Sequence, residues 1–548
     1  MPQLFHHLLT QSALKTPSAV ALQHKEQALS YLDVNQQAHL LAAQLQNSGL
    51  TPNARVAVYL PKQFESVISY FAISLAGGAF VPVNPLLKSK QVHYVLTDCQ
   101  VNILITSLSR YQQLTHAQTL PSTVTSVILT DCPPDKTPAN CLNWQTINKT
   151  AESKEDLDST TNLNAYMAQL ATIQAKLPSR ISRDMAAILY TSGSTGNPKG
   201  VVISHQNLLA GARSVSQYLH NTASDNLLAV LPFSFDYGLS QLTTAFLVGG
   251  CVTLMEYLLP RDVIRAVARY KITGLAAVPP LWLQLVELDW PDSVHQHLRY
   301  FTNSGGAMPQ TTLKKLMQKL PKTSPFLMYG LTEAFRSTYL EPTQIENRPG
   351  SIGKAIPDAE ILVINQHGQP CQPGEEGELV HRGPHVAMGY WDSPEKTAIR
   401  FKPLPQTLSL GLVPEIAVWS GDTVVKDEEG YLYFVGRRDD MIKSSGYRIS
   451  PSEIEECIYQ FPGIAEVAAI GIAHPRLGQA VVVVVVSESS QQLVQQDLLK
   501  YCQKELPNFM HPQAIFEQTQ LPRNPNGKIN RQQLMTEYAD VFQSSGEN

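Results

Sequence analysis

Apolar segments of strand length alternate with segments of helical spacing, and this alternation restricts the fold more than any other feature of the chain. Tyr31 to Asn47 has helical spacing and stops at Gly49, and Arg55-Val-Ala-Val-Tyr-Leu60 is strand-like. Phe64 to Ala76, ended by Gly77-Gly78, predicts a helix, and Ala79 to Val83 the next strand. Lys88 to Thr97 and Val101 to Thr106 repeat the unit. Such alternation predicts an α/β fold whose parallel sheets carry helices on both faces, a doubly wound arrangement. The pattern pauses from Asp131 to about Arg180, a polar stretch with room for one helix, and then resumes. Leu227 to Pro232, Gly274 to Val278, Arg299 to Thr302 and Pro325 to Met328 are strand-like, and each runs into a loop rich in Gly and polar residues. Ligands in open α/β sheets bind beyond the carboxyl ends of strands, so these loops are expected to line one site.

Between the strand-like runs Met185-Ala-Ala-Ile-Leu189 and Val201-Val-Ile203 lies Tyr190-Thr-Ser-Gly-Ser-Thr-Gly-Asn-Pro-Lys-Gly200. Glycines let backbone N–H groups approach an anion, hydroxyls add donors, and Lys199 adds a positive charge, which together make a polyphosphate cradle. Gly193, Gly196 and Lys199 stand three apart, so this is not the Gly-x4-Gly-Lys-Ser/Thr pattern. A net charge of −4 gives no reason to expect a nucleic acid or an anionic membrane as partner. Seven scattered cysteines without a Cys-x-x-Cys pair point to a reducing compartment. With no signal-peptide pattern, and with Ala480 to Val486 as the most apolar run, the expected location is cytoplasmic, without integral membrane contact.

At 548 residues the chain should divide into domains. Short strands and turns between about 350 and 435 predict a β-rich subdomain within a large domain, residues 1–438. Gly436-Arg-Arg-Asp-Asp440 marks the boundary. Beyond it Ser450-Pro-Ser-Glu453 opens a helix with Ser as cap and Pro at the first helical position. Strand-like runs near 464–473, 479–486 and 513–517, with helices near 491–504 and from Arg531, predict a small α+β domain over 439–548.

The Tyr190–Gly200 string resembles the phosphate loop of the adenylate-forming (AMP-binding) superfamily: acyl-CoA synthetases, peptide-synthetase adenylation domains and luciferases. Other motifs follow in the family's order, and the resemblance covers nearly the whole chain. It implies that Thr191, Ser192, Gly193, Ser194, Thr195, Gly196 and Lys199 cradle the phosphates of ATP. Tyr329-Gly330-Leu-Thr332-Glu333 is similar to the family's second nucleotide motif, implying that Tyr329 packs on adenine, Thr332 meets the α-phosphate and Glu333 helps hold Mg²⁺. Gly305, Gly306 and Ala307 match the segment along the adenine, Asp422 the carboxylate that accepts the ribose hydroxyls, and Arg437 the arginine near ribose and phosphate. Lys528, in Pro525-Asn-Gly-Lys-Ile529, matches the lysine of adenylation; read alone, it is a solvent-exposed turn lysine. Lys443 and Gly446 resemble the loop used for thioester formation, and Asp439 the hinge of a small domain that turns between the two steps. The implied reaction joins a small-molecule carboxylic acid to a thiol through an acyl-adenylate. The thiol is that of CoA or the phosphopantetheine of a free-standing acyl carrier protein.

The acid is expected to contact Ser234 to Gln241, Ala276 to Trp282, Thr302 to Ser304 and Met328 to Ser337, with Asp236, Tyr237, Ser240, Thr302, Ser304, Met328, Arg336 and Ser337 as lining residues. Phe235-Asp236 resembles peptide-synthetase adenylation domains, where the aspartate holds an amino group. With Arg336 available for a second carboxylate, an amino acid or amino dicarboxylic acid would fit; pairing of Asp236 and Arg336 with each other or with neighbouring groups is the competing arrangement. Val83-Asn-Pro-Leu-Leu-Lys88 and Glu333-Ala-Phe-Arg-Ser337 look like stand-alone AMP-forming acyl-CoA ligases of the exosortase-associated type. A fatty or aromatic acyl-CoA synthetase, a luciferase-like oxygenase and a non-catalytic nucleotide-binding module stay open at this level.

Overall fold

The computed structural model describes residues 2–148, 177–191, 198–306, 308, 310–406, 408, 413–437, 441–449, 451–487, 495–522 and 529–542. Three sheets organise them. The eight-stranded sheet has a parallel run of Met185–Thr191, Ala79–Pro82, Arg55–Tyr59, Ile103–Thr106, Ser126–Leu129 and Cys141–Asn143. Lys199–Ser204 then returns antiparallel along Met185–Thr191. Val56 and Val58 face one apolar cluster while Ala57 and Tyr59 face another, so the strand is buried on both sides.

The fourteen-stranded sheet has a parallel centre formed by Cys251–Leu254, Asn226–Ala229, Gly274–Ala277, Tyr300–Asn303 and Ser324–Tyr329. The strands of the β-rich stretch do not stand apart from it. Thr338–Leu340, Ser351–Ala355, Leu432–Arg437, Ile416–Lys426, Glu376–Arg382 and Glu360–Ile364 extend the same sheet by antiparallel pairing. At the opposite edge Val20–His24 pairs with Cys251–Leu254, a partner too distant in sequence for any local pattern to announce.

Helices fill the space between these two sheets. Tyr31–Asn47 begins with a capping box in which Ser30 and Asp33 satisfy each other's backbone N–H groups. Phe64–Leu75 is buried along nearly its whole length, as expected of a helix apolar on most sides. Its Phe71 stacks on Phe246 of the helix Asp236–Val248, with ring centres 5.1 Å apart. One apolar cluster thereby joins Val56, Val58 and Phe80 of the eight-stranded sheet to Leu227, Leu228 and Val252 of the fourteen-stranded one.

The third sheet has five strands, all from residue 442 onward: Tyr447–Ile449, Ile442–Ser444, Gly478–Ser487, Ile464–His474 and, parallel to Gly478–Ser487, Ala514–Glu517. The valine run is explained by strand periodicity. Val481, Val483 and Val485 pack under the helices Pro451–Ile458 and Gln495–Glu505, whereas Val482 and Val484 pack under Arg531–Glu537. Among the described residues no helix is long and apolar enough to cross a membrane.

Three buried histidines make stability depend on pH. Burial pushes His205 down to about 4, His381 to about 3 and His385 to about 4. The unfolded chain takes up these protons near pH 6.5 and the folded chain does not, so stability is full above that pH and is lost as pH falls toward 4. The urea midpoint should therefore drop steadily between pH 7 and 4.5. A His205→Gln/His381→Gln double variant should flatten that dependence by up to about 3 kcal/mol per pH unit.

Candidate functional site

Most of the predicted site residues that the structure describes lie where the loops of the two large sheets meet. Thr191 and Lys199 face each other as the last pair of the hairpin Met185–Thr191/Lys199–Ser204. Ser192, Gly193, Ser194, Thr195 and Gly196, which the sequence places between them, lie outside the described residues, as do Ala307, Asp439 and Lys528. The short strand Gly389–Tyr390 pairs with Val201 and Val202 of the same hairpin. This brings the Tyr390 ring within 5.1 Å of Lys199 Nζ. Tyr390 Oη donates to Glu333 Oε1 at 2.6 Å, and the Ala387 N–H donates to the Glu333 carbonyl at 2.9 Å. The hairpin lysine and the second motif's glutamate thus share one tyrosine. Local pattern gave no sign of Tyr390, because its role comes from strand pairing across the sequence.

Glu333 and Thr332 occupy a short 3-10 turn just beyond the parallel strand Ser324–Tyr329. Both side chains are buried, and Thr332 Oγ1 donates to Asp236 Oδ1 at 3.0 Å. Asp236 therefore sits against the motif that it precedes by nearly a hundred residues, at the first turn of Asp236–Val248. Tyr329 Oη donates to Asp422 Oδ2. Asp422 is fully buried, and its N–H donates to Ser420 Oγ at 3.0 Å. Gly421 enables this turn with φ of +70°, its own N–H donating to Glu378. Arg437 is the residue opposite Asp422 across Ile416–Lys426 and Leu432–Arg437.

The acid-lining positions form a buried polar cluster. Tyr237 and Thr302 share a hydrogen bond of 2.6 Å between their hydroxyls. Arg336 Nη1 donates to Ser304 Oγ at 3.0 Å, and its guanidinium lies 4.7 Å from the Tyr237 ring centre. Ser337 Oγ is 3.0 Å from His381 Nδ1, and Tyr218 Oη reaches Met328 Sδ at 2.9 Å. Ser240 is buried one turn along the helix from Asp236. Asp236 and Arg336 do not form an ion pair with each other; Thr332 and Ser304 take their hydrogen bonds. Tyr218 and His381 join this cluster from elements whose local pattern carries no sign of it.

Between Glu333 and Arg336 the chain makes an unusual turn. Phe335 has φ +59° and ψ −66°, and the Arg336 N–H donates to the Ala334 carbonyl at 2.6 Å. That is the rare positive-φ γ-turn, strained for any side chain and costly for a bulky one. The buried Phe335 ring is held against Gly211.

The hairpin Ile442–Ser444/Tyr447–Ile449 of the third sheet closes the other side. Its two turn residues, Ser445 and Gly446, have φ of +53° and +82°, as a tight primed turn requires. A Cβ on Gly446 would fall 2.6 Å from Val278 Cγ1, so only glycine lets the turn seat there. A Cβ on Gly305 would in turn lie 3.6 Å from the Gly446 carbonyl oxygen. Lys443 Nζ stands 4.4 Å over the Phe434 ring, whose centre is 6.5 Å from that of Tyr329.

A family model described as AMP-binding enzyme matches residues 9–391, and one described as AMP-binding enzyme C-terminal domain matches 453–528. The chain is 29% identical over 543 residues to a long-chain-fatty-acid–CoA ligase of Bacillus subtilis, covering 97% of this chain and 94% of that protein. It is also 29% identical over 537 residues to gramicidin S synthase 2 of Brevibacillus brevis, covering 97% of this chain but 11% of that much longer protein. Among solved structures it resembles the o-succinylbenzoate-CoA synthetase of Bacillus subtilis. The likeness to a double mutant of that enzyme bound with its product analogue has a TM-score of 0.77 at 25% identity, covering 97% of this chain and 98% of the other. For the same enzyme with its acyl-adenylate intermediate the score is 0.63 at 25% identity, covering 96% and 97%.

The seat of Phe335 can be tested directly. Gly211→Ala places a methyl group in the Phe335 ring, and overpacking of this kind costs about 1–3 kcal/mol. A urea unfolding curve should show that loss as a lower midpoint with an unchanged slope.

Proposed function

Because the chain belongs to the AMP-binding enzyme family, we propose that it uses ATP to convert a carboxylic acid to an acyl-adenylate and then passes the acyl group to a thiol. Lys199, Tyr390, Glu333, Tyr329 and Asp422 carry this assignment by their convergence from four strands and one turn on one place. The hairpin loop Thr191 to Lys199 would cradle the phosphates. Asp422 would accept the ribose hydroxyls with Arg437 nearby, and Gly305, Gly306 and Tyr329 would flank the adenine. The donor set at Thr332 and Glu333 fits Mg²⁺, being a hydroxyl and a carboxylate in adjacent buried positions, the hard oxygen donors this ion prefers. Bound there, Mg²⁺ would neutralise charge on the phosphates.

The substrate carboxylate is already ionised at neutral pH and needs no base. It attacks the α-phosphate and pyrophosphate leaves, so the barrier is anion meeting anion, which Lys199 and Lys528 would lower electrostatically. In the second step the thiol sulfur bonds to the acyl carbon and AMP departs. Lys443 and Gly446 would serve this step, and the seating of their hairpin on Val278 and Gly305 supports it. The greater likeness to the product-analogue complex than to the acyl-adenylate complex of one and the same synthetase points the same way. Rotation about Asp439 would exchange the hairpin for Lys528. The thiol is that of CoA or of a free-standing acyl carrier protein.

Asp236 touches Thr332, and with Thr332 assigned to the α-phosphate, Asp236 would lie beside the reacting carboxylate. An anion at that position suits an α-ammonium group, which favours an amino acid over a fatty acid.

Lys528→Ala should lose ATP–pyrophosphate exchange yet still pass a chemically made acyl-adenylate to the thiol, whereas Lys443→Ala should do the reverse. Equal loss of both steps in both folded variants would refute the two-step assignment. Asp236→Ala should lower kcat/KM for amino substrates by about 10²-fold or more and leave their desamino analogues nearly unchanged.

A further inference from the structure

Arg336 is a buried cation that forms no ion pair with any described residue. It is 2% exposed, its Nη1 has Ser304 Oγ, and its Nε has no hydrogen-bond partner. Among the described residues no carboxylate lies within 4.0 Å of it. Two other buried charges have ion-pair partners: Lys62 has Glu256 and Asp225 has Arg299. The groups that touch the Arg336 guanidinium are neutral. Ser304 and Thr302 are hydroxyls, and burial raises the Tyr237 and Tyr218 phenols well above their ordinary range. Met328 brings only a thioether.

An unpaired buried charge works against folding, and so does the strained γ-turn at Phe335 that directs Arg336 into this cluster. Strained turns and costly buried groups cluster at active sites and ligand clamps. The guanidinium has a planar fork that suits a carboxylate, and Ser304 and the Tyr237–Thr302 hydroxyl pair stand beside it.

We infer that Arg336 is the specificity determinant for a second, distal carboxylate on the acid, so that the substrate class is a dicarboxylic acid activated at one end and read at the other. This rests on the assignment of the site to acid activation. With Asp236 beside the reacting end, the class narrows to amino dicarboxylic acids.

Purified full-length protein is assayed by ATP–pyrophosphate exchange with matched acids that differ only in the distal carboxylate: succinate against butanoate, glutarate against pentanoate, aspartate against 2-aminobutanoate and glutamate against 2-aminopentanoate. In at least one pair the diacid should exceed its partner in kcat/KM by about 10³-fold or more. Arg336→Met should bring that ratio close to one, mainly by loss of the diacid, and Arg336→Lys should restore part of it. Thermal unfolding without ligand separates recognition from support. Arg336→Met should unfold at or above the wild-type temperature, because it removes an unpaired buried charge. Monoacids equal to or better than their partners in every pair, a diacid preference untouched in Arg336→Met, or a lowered unfolding temperature of that variant would each overturn the inference while leaving acid activation intact. No exchange with any acid, fatty and aromatic acids included, would overturn the acid-activation assignment itself.

Discussion

The hydrogen bond from Tyr390 to Glu333 joins the two large sheets at the point where their loops meet. Tyr390 belongs to a strand added to the Met185–Thr191/Lys199–Ser204 hairpin, and Glu333 follows the parallel strand Ser324–Tyr329 of the other sheet. The contact fixes the distance between the hairpin's Lys199 and the glutamate. It holds a buried carboxylate in one orientation, which a charge removed from water needs. The remaining site residues are placed relative to this tie, with Asp236 through Thr332 and Asp422 through Tyr329.

Several of these groups would be poor choices if folding were the only demand. Asp236, Asp422, Glu333 and Arg336 are all buried within a few loops of one another. Apolar residues of similar volume would pack there at lower cost. The core that bears this burden is large: one continuous cluster links both sheets and the helices between them, and its aromatic stack of Phe5, Phe71 and Phe246 lies well inside. A strained turn at Phe335 and a set of buried charges are the kinds of local conflict that gather at functional sites.

The third sheet contributes one hairpin to the site, through Lys443 and Gly446. Ser445 and Gly446 form a tight turn that only a glycine at the second position can press against Val278. The contact is small compared with the core of the third sheet, whose helices and strands satisfy one another. A unit with its own core that meets the site through Gly446 and Lys443 suits a rearrangement in which different loops are presented in succession.

The alternation from Tyr31 to Thr106 and again from Leu227 to Met328 determined the α/β class, because burial on both faces leaves apolar runs that a reader of the sequence can see. The glycine-rich string ending at Lys199 is a local pattern of donors and charge, whereas the Tyr329–Glu333 motif, Asp236, Asp422 and Lys443 stood out only through their resemblance to the family's motifs. Tertiary structure alone decided that the β-rich strands extend the large sheet, and that Val20–His24 lies beside Cys251–Leu254. It also brought Tyr390 to Glu333 and gave Arg336 Ser304 rather than Asp236 as its partner. The reason is physical. Periodicity and turn chemistry are set by neighbours a few residues away, whereas a hydrogen bond across 57 residues or a buried charge's partner depends on how packed sheets bring distant loops together.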